Sequence, residues 1–503
     1  MFLPHILTVL LAFIANQVVA KDEGLTVHTT EGDVVGTLVS PTVRRFLGIP
    51  YAVANRWTPP QNAPVRNTPF NASTFADSCP QAMSPALLKV LGSFGSAGGS
   101  ESEDCLNLNI WAPSTSRKQA TAVIIWINGG GLQYGTSNTN IYNGQYFVQD
   151  SDDILVVSFN YRTNIFGQPG APQLSVNTTQ SQNFGVLAFN SAVQWVYNNI
   201  AAFGGDPKCI ILFGESAGAV MVDVYSYMHP NDTIVKGLIE QSGNLGVSGH
   251  VGLLNTSVWN VVSNATGCAT TNDTAQFDCM KQVPSNTLKN AVLSTGSTFL
   301  LVPDNITAFS DLSARAASGN FLRVPLLTGN NQNEGDLFVL LQQEATLGFT
   351  LPVLTEVISD IQGQASLKSQ MCIFPDLSAL PELRAYHSSE IPLVFGALPT
   401  PNATTNSPPP SAHELALSRY MQSAWVSFAR DPAKGLLNYG WPLYNADLKS
   451  NETTLVQLGG FYNRTGANLA QGRLLDYTCS AQSMLRGILL QLQDLSNQAS
   501  IFQ

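Results

Sequence analysis

The segment Gly214-Glu215-Ser216-Ala217-Gly218 constrains this chain more tightly than any other stretch of it. It matches the pattern G-x-S-x-G and is preceded by the apolar run 209–213, which reads as a buried strand. Residues 217–227 behind it read as a helix. A serine hydroxyl becomes a useful nucleophile when it projects freely towards a base and a substrate. A tight strand-to-helix turn achieves this, and its crowded backbone tolerates only small residues two positions before and two after.

The rest of the chain supplies a frame for such a turn. Residues 121–128 and 153–161 are apolar and rich in β-branched side chains, as expected of buried strands. Residues 185–203 carry apolar side chains at helical spacing and stop at Gly204-Gly205-Asp206-Pro207. A further strand is expected over 324–328 and a long helix over 415–429, with a flexible surface loop over 400–411. Strand and helix alternating in this order means crossover units, hence an α/β fold with a mostly parallel central sheet flanked by helices. Residues 28–47 alternate like antiparallel hairpin strands, with turns expected at Gly32 and Gly36. With 44% hydrophobic and 12% charged residues there is ample side chain for a large core, and no composition shift divides residues 21–503, which read as a single domain.

The formal net charge of −10 excludes nucleic acid as an expected partner and argues against electrostatic attachment to anionic membranes. Residues 1–20 read as an export signal: an apolar run over 7–14, then Val18-Val19-Ala20 where a signal peptidase cuts. Secretion agrees with the Asn-x-Ser/Thr acceptors at Asn71, Asn177, Asn231, Asn255, Asn264, Asn272, Asn305, Asn402, Asn451 and Asn463. No transmembrane anchor is expected. The chain has seven cysteines, most of which should pair outside the cell. Cys79 with Cys105 and Cys268 with Cys279 each close a short loop. Cys209 reads as a buried, inert thiol, and Cys372 with Cys479 is a further possible pair.

Three further groups complete the chemistry. Asn128-Gly129-Gly130-Gly131 follows the strand ending at Ile127, and its glycines let backbone N–H groups turn inward to stabilise an oxyanion. The expected donors are Gly130 and Gly131, with Ala217 at the helix start. The base is expected beyond Ser216, with an acid between the two. His229 and His250 leave too little chain for that acid, and His413 borders the Pro-rich loop, which leaves His387. The acid is Glu334, in the loop after the 324–328 strand, with Asp336 as the nearby alternative. No metal-binding spacing occurs and no cofactor is expected, since ester hydrolysis needs none.

These blocks resemble the type-B carboxylesterase/lipase family, the cholinesterase-like branch of the α/β-hydrolases, and are most similar to its fungal secreted members. The resemblance extends to Phe46-Leu47-Gly48-Ile49-Pro50-Tyr51-Ala52, Ser102-Glu103-Asp104-Cys105-Leu106-Asn107-Leu108, Asn160-Tyr161-Arg162 and Phe203-Gly204-Gly205-Asp206-Pro207. Tyr386-His387 with Pro392-Leu393-Val394-Phe395-Gly396 carries the fungal likeness. It implies an α/β-hydrolase fold, Ser216, Glu334 and His387 as a catalytic triad, Gly130, Gly131 and Ala217 as oxyanion hole, and the Cys79–Cys105 and Cys268–Cys279 bridges. The implied activity is secreted serine hydrolysis of small-molecule or lipid carboxylic esters through an acyl-enzyme.

The chain departs from the family pattern at three places. Asn128 stands where many members have histidine. No tryptophan lies between Cys79 and Cys105, which disfavours choline esters. Only 53 positions separate Glu334 from His387, about half the family's usual span. The strand leading into the histidine loop would then have to come from residues 369–374. If the histidine is not delivered to Ser216, the alternative is a catalytically impaired binding protein on the same fold. Residues 86–91 form an apolar segment that reads either as part of a lipase lid or, more commonly for a run of this length, as ordinary packing.

Overall fold

The computed structural model describes residues 24–85, 87–88, 99–117, 120–151, 153–175, 179–246, 256–338, 341, 385–398, 409–445, 450–459 and 463–471. Eight strands form its main sheet: β1 (Thr37–Ser40), β2 (Val43–Pro50), β3 (Asn107–Pro113), β4 (Thr121–Ile127), β5 (Ile154–Phe159), β6 (Gly205–Glu215), β7 (Val235–Gln241) and β8 (Leu326–Gly329). Their spatial order is β8-β7-β6-β4-β5-β3-β2-β1. From β5 to β8 every pairing is parallel. Strands β3, β2 and β1 add an antiparallel margin beside β5.

Both faces of the parallel part are covered. Every residue of β4 is buried, and alternate side chains serve opposite layers. Val123, Ile125 and Ile127 pack into one core with α1 (Phe184–Asn199) and α2 (Ala217–Met228). Ala122, Ile124 and Trp126 pack into another with α7 (Ala412–Arg430), through Trp425 and Phe428. Each fully buried large side chain of this kind contributes about 1.5–3 kcal/mol. Helices α3 (Thr256–Ala265), α4 (Asp273–Gln282) and α5 (Ser285–Ser294) enclose a third core around Trp57, Phe166 and Trp259. The disulfide Cys268–Cys279 ties the end of α3 to α4, and Cys79–Cys105 lies beside β3. Short α6 (Ile391–Phe395) packs on α7.

Local chemistry sets the boundaries. Helix α1 passes into a 3-10 turn over Ile200–Phe203, and Gly204 at φ 97° ends it where a side chain would be strained. Helix α7 starts earlier than the apolar spacing suggests because Ser411 and Glu414 form a capping box: Ser411 Oγ accepts from Glu414 N at 3.3 Å, and Ser411 N donates to Glu414 Oε2 at 2.5 Å. Strand β6 runs on both sides of the apolar run, with a register irregularity between Gly205 and Ile210. Cys209 sits there half-buried rather than fully enclosed, its Sγ 3.3 Å from Ala429 O, and burial raises its thiol pKa.

Of the two N-terminal turns expected, the one at Gly32 forms and the one at Gly36 does not. Thr26–Thr29 pairs with Gly32–Val35 around Thr30-Glu31, and β1 pairs with β2 around Pro41-Thr42. Gly36 is instead the crossing point between the two sheets. A Cβ there would sit 2.4 Å from the ring of Phe46. Residues 1–20, 369–374, His250, Cys372, Cys479, Asn177, Asn255 and Asn402 lie outside the described residues, as does most of 86–91 and 400–411. Among the described residues no helix is long and apolar enough to cross a membrane.

Candidate active site

Ser216 occupies the single position between the end of β6 at Glu215 and the start of α2 at Ala217. Its backbone is at φ 58° and ψ −125°, a strained conformation that costs about 1–3 kcal/mol and must be held by its surroundings. Ser216 N donates to Gln241 O on β7 at 2.8 Å, and Ser216 O accepts from Val220 N at 3.1 Å. The smallness of the flanking residues is a steric requirement. A Cβ at Gly214 would lie 2.3 Å from Gly218 C and O, and one at Gly218 would lie 2.0 Å from Ile127 O. Gly243, which the motif does not include, is equally constrained: its Cβ would meet Ser216 O at 2.3 Å.

The glycine loop leaves β4 against this turn. A Cβ at Gly129 would lie 2.8 Å from Ser216 Cβ, so the two segments are in backbone contact. Gly130 at φ 114° and Gly131 at φ 60° carry the chain round it. Among the described residues, the N–H groups of Gly130, Gly131 and Ala217 have no backbone or side-chain acceptor. Asn128 is buried, its carbonyl accepting from Tyr161 Oη at 2.8 Å and its Nδ2 donating to Gly129 O at 3.1 Å.

His387 and Glu334 meet despite the short chain between them. His387 Nδ1 lies 2.5 Å from Glu334 Oε2. The other oxygen, Oε1, accepts from Ser242 Oγ at 2.6 Å and from Asn331 N at 2.7 Å. Asp336 is also buried, but of the two candidate acids Glu334 is the one bonded to the imidazole Nδ1. The loops are pinned to each other by Asn333 N donating to Ala385 O at 2.8 Å. The second imidazole nitrogen, Nε2, is 3.2 Å from Glu215 Oε1, and among the described residues no hydrogen bond joins His387 to Ser216 Oγ. His229 bonds Asn190 Oδ1 at 2.9 Å at the far end of α2, and His413 is exposed in the first turn of α7.

The electrostatics around His387 were not foreseen from sequence. Glu215, Glu334 and Glu390 are all buried beside it. Burial opposes charging of the imidazole, but Glu215, Glu334 and Glu390 outweigh it and push its pKa up to about 9. Burial and the neighbouring carboxylates of Glu215 and Glu334 raise Glu390 to about 8. Burial also raises Glu215, against the opposing pull of His387 and the Ser388 hydroxyl, which donates to Oε1 at 2.6 Å. Glu390 accepts from Gln241 Nε2 at 2.7 Å and from Asn331 Nδ2, and Gln241 Oε1 accepts from Trp425 Nε1 at 3.1 Å. A signal was present: Glu215 is a charge just beyond the apolar run 209–213, and Glu390 stands three residues after His387.

Comparison with known proteins agrees with this geometry. The profile of the Carboxylesterase family matches residues 23–353, a stretch that holds Ser216 and Glu334. The chain is 33% identical to "Secreted lipase 5" of Gibberella zeae over 474 residues, covering 83% of this chain and 86% of that protein. It is 34% identical to "Chlorogenic acid esterase" of Aspergillus niger, covering 82% and 84%. It is 32% identical to "Acetylcholinesterase" of Electrophorus electricus, covering 65% and 54%. A strained serine turn, a glycine loop packed on it, an α/β sheet of this order and matches of this length lead to one conclusion: the chain belongs to the carboxylesterase family.

Proposed function

We propose that this chain is a secreted, single-domain serine esterase that cleaves carboxylic esters through an acyl-enzyme on Ser216. The observation that carries this reading is the buried contact of His387 Nδ1 with Glu334 Oε2, formed within the same strand-end region as the strained Ser216 turn. His387 Nε2 takes the proton from Ser216 Oγ as the oxygen attacks the acyl carbon. The oxyanion rests on the N–H groups of Gly130, Gly131 and Ala217, each donor worth about 3–4 kcal/mol of transition-state energy. Glu334 holds the Nδ1–H and stabilises the imidazolium. The alcohol leaves with the proton from Nε2, and water then repeats the steps to release the acid. Before attack, Nε2 must leave Glu215 and turn to Ser216.

Export is supported by the two disulfides and by the sequons, of which Asn71, Asn231, Asn264, Asn272, Asn305 and Asn451 are exposed. A lipase acting on long acyl chains is the nearest variant, in keeping with one relative's name. The Nε2 contact with Glu215 favours a second reading, a binding protein with an idle triad. Hydrolysis of p-nitrophenyl acetate and palmitate by secreted protein tests both. Under the esterase reading Ser216→Ala loses about 10⁶-fold in kcat and His387→Ala a similar factor. Folded wild-type protein that neither turns over either ester nor captures a fluorophosphonate refutes it and leaves the binding reading.

A further inference from the structure

Strand β4 ends at Ile127, so the sheet does not hold the loop that carries Gly130 and Gly131. A Cβ at Gly131 would meet nothing within 4 Å, so no packing fixes it. The peptide before it is held by backbone, Gln133 N and Tyr134 N donating to Gly130 O at 2.9 and 3.2 Å, but the peptide after it has no backbone partner among the described residues. A neighbouring side chain supplies one. Gln133 Nε2 donates to Gly131 O at 3.1 Å and to Phe299 O at 2.6 Å, while its Oε1 accepts from Phe299 N at 3.0 Å. Gln168 reinforces the join, its Nε2 donating to Leu132 O at 3.0 Å and to Phe299 O at 3.2 Å.

The anchor is itself fixed. Asn183 grips the same segment three residues on: Nδ2 donates to Val302 O at 2.7 Å, and Oδ1 accepts from Val302 N at 2.8 Å. Two side-chain amides thus grip the segment from Phe299 to Val302 at both ends. Only a primary amide offers a donor and an acceptor side by side to match one residue's N–H and C=O. A carboxylate has no donor and a lysine no acceptor. Gln133 spends its second donor contact on Gly131 O, and that bond ties the glycine loop to the anchored segment.

We infer that Gln133 is a positioning residue for ester hydrolysis, its side chain holding the Gly131–Leu132 peptide and through it the glycine loop that presents the Gly130 and Gly131 N–H groups to the oxyanion. The inference rests on the serine esterase reading above. Two variants separate positioning from packing. Gln133→Met keeps length and volume without the amide, and Gln133→Glu keeps the acceptor for Phe299 N but loses both donor contacts. Both are assayed with p-nitrophenyl acetate, with kcat expressed per Ser216 titrated by a fluorophosphonate. Displacement of a preorganised donor predicts that kcat per titrated site falls about 10- to 100-fold in both, with KM changed less than about threefold. A residue that only packs would lower the yield of titratable enzyme or the Tm and leave kcat per site unchanged. That result, in active wild-type protein, overturns this inference alone. An inert wild type overturns the esterase reading and this inference with it.

Discussion

Gly218→Ala is the change in the nucleophile turn whose consequence follows most directly from geometry. The added methyl would lie 2.0 Å from Ile127 O, 2.8 Å from Ile127 C and 3.0 Å from Asn128 C, all backbone atoms. Ordinary contact begins near 3.4 Å, so one of the two backbones has to move by roughly 1.4 Å. No side-chain rotation can relieve the clash. Overpacking of this kind costs about 1–3 kcal/mol of stability. The rate effect should be larger, because the two backbones carry opposite sides of the proposed oxyanion site: Ala217 begins α2, and Gly130 and Gly131 follow β4. Misplacement by about 1 Å costs ~10²-fold. Gly267→Ala, after α3 and outside the candidate site, is the control, since its Cβ enters open space and only φ 76° resists it. It should cost about 1–2 kcal/mol of stability, with kcat/KM within about threefold of wild type. Hydrolysis of p-nitrophenyl acetate per titrated site, beside urea unfolding, measures both. The reasoning is refuted if Gly218→Ala keeps wild-type kcat/KM and an unchanged unfolding midpoint.

Two further outcomes are expected. Because the base must be neutral at Nε2 and buried carboxylates hold the His387 pKa up at about 9, kcat/KM should rise with pH on a limb centred well above the ordinary 6.5. Glu390→Gln removes one of those charges and should move the limb down; a wild-type limb at or below 6.5 contradicts the account. Replacing Cys79 and Cys105 together by serine opens a loop with a sequence separation of 26 residues. It should cost about 3–4 kcal/mol in urea unfolding, and an unchanged midpoint would show that the loop is held by other contacts.

Sequence alone determined what depends on short spans of chain. Strands β4 and β5 were legible because strands covered on both faces are apolar throughout, and the stop after α1 because glycine is suited to the conformation there. The strained turn at Ser216 was legible for the same reason: its steric demands fall on Gly214 and Gly218 and eliminate nearly every other residue type there. The turn expected at Gly36 was misplaced because Gly36 serves a close approach to Phe46 rather than a turn, and a glycine does not say which.

Tertiary structure decided everything that joins distant segments. That His387 reaches Glu334 across a shortened connection depends on loops brought together by backbone bonds such as Asn333 N to Ala385 O. The three carboxylates around His387 come from the end of β6, the loop after β8 and the start of α6, and no spacing in the chain announces their company. Gln133 is one glutamine among many in the sequence. It became distinctive only when folding set Phe299 beside Gly131, because a hydrogen bond depends on direction and distance, and these exist only once the chain has closed on itself.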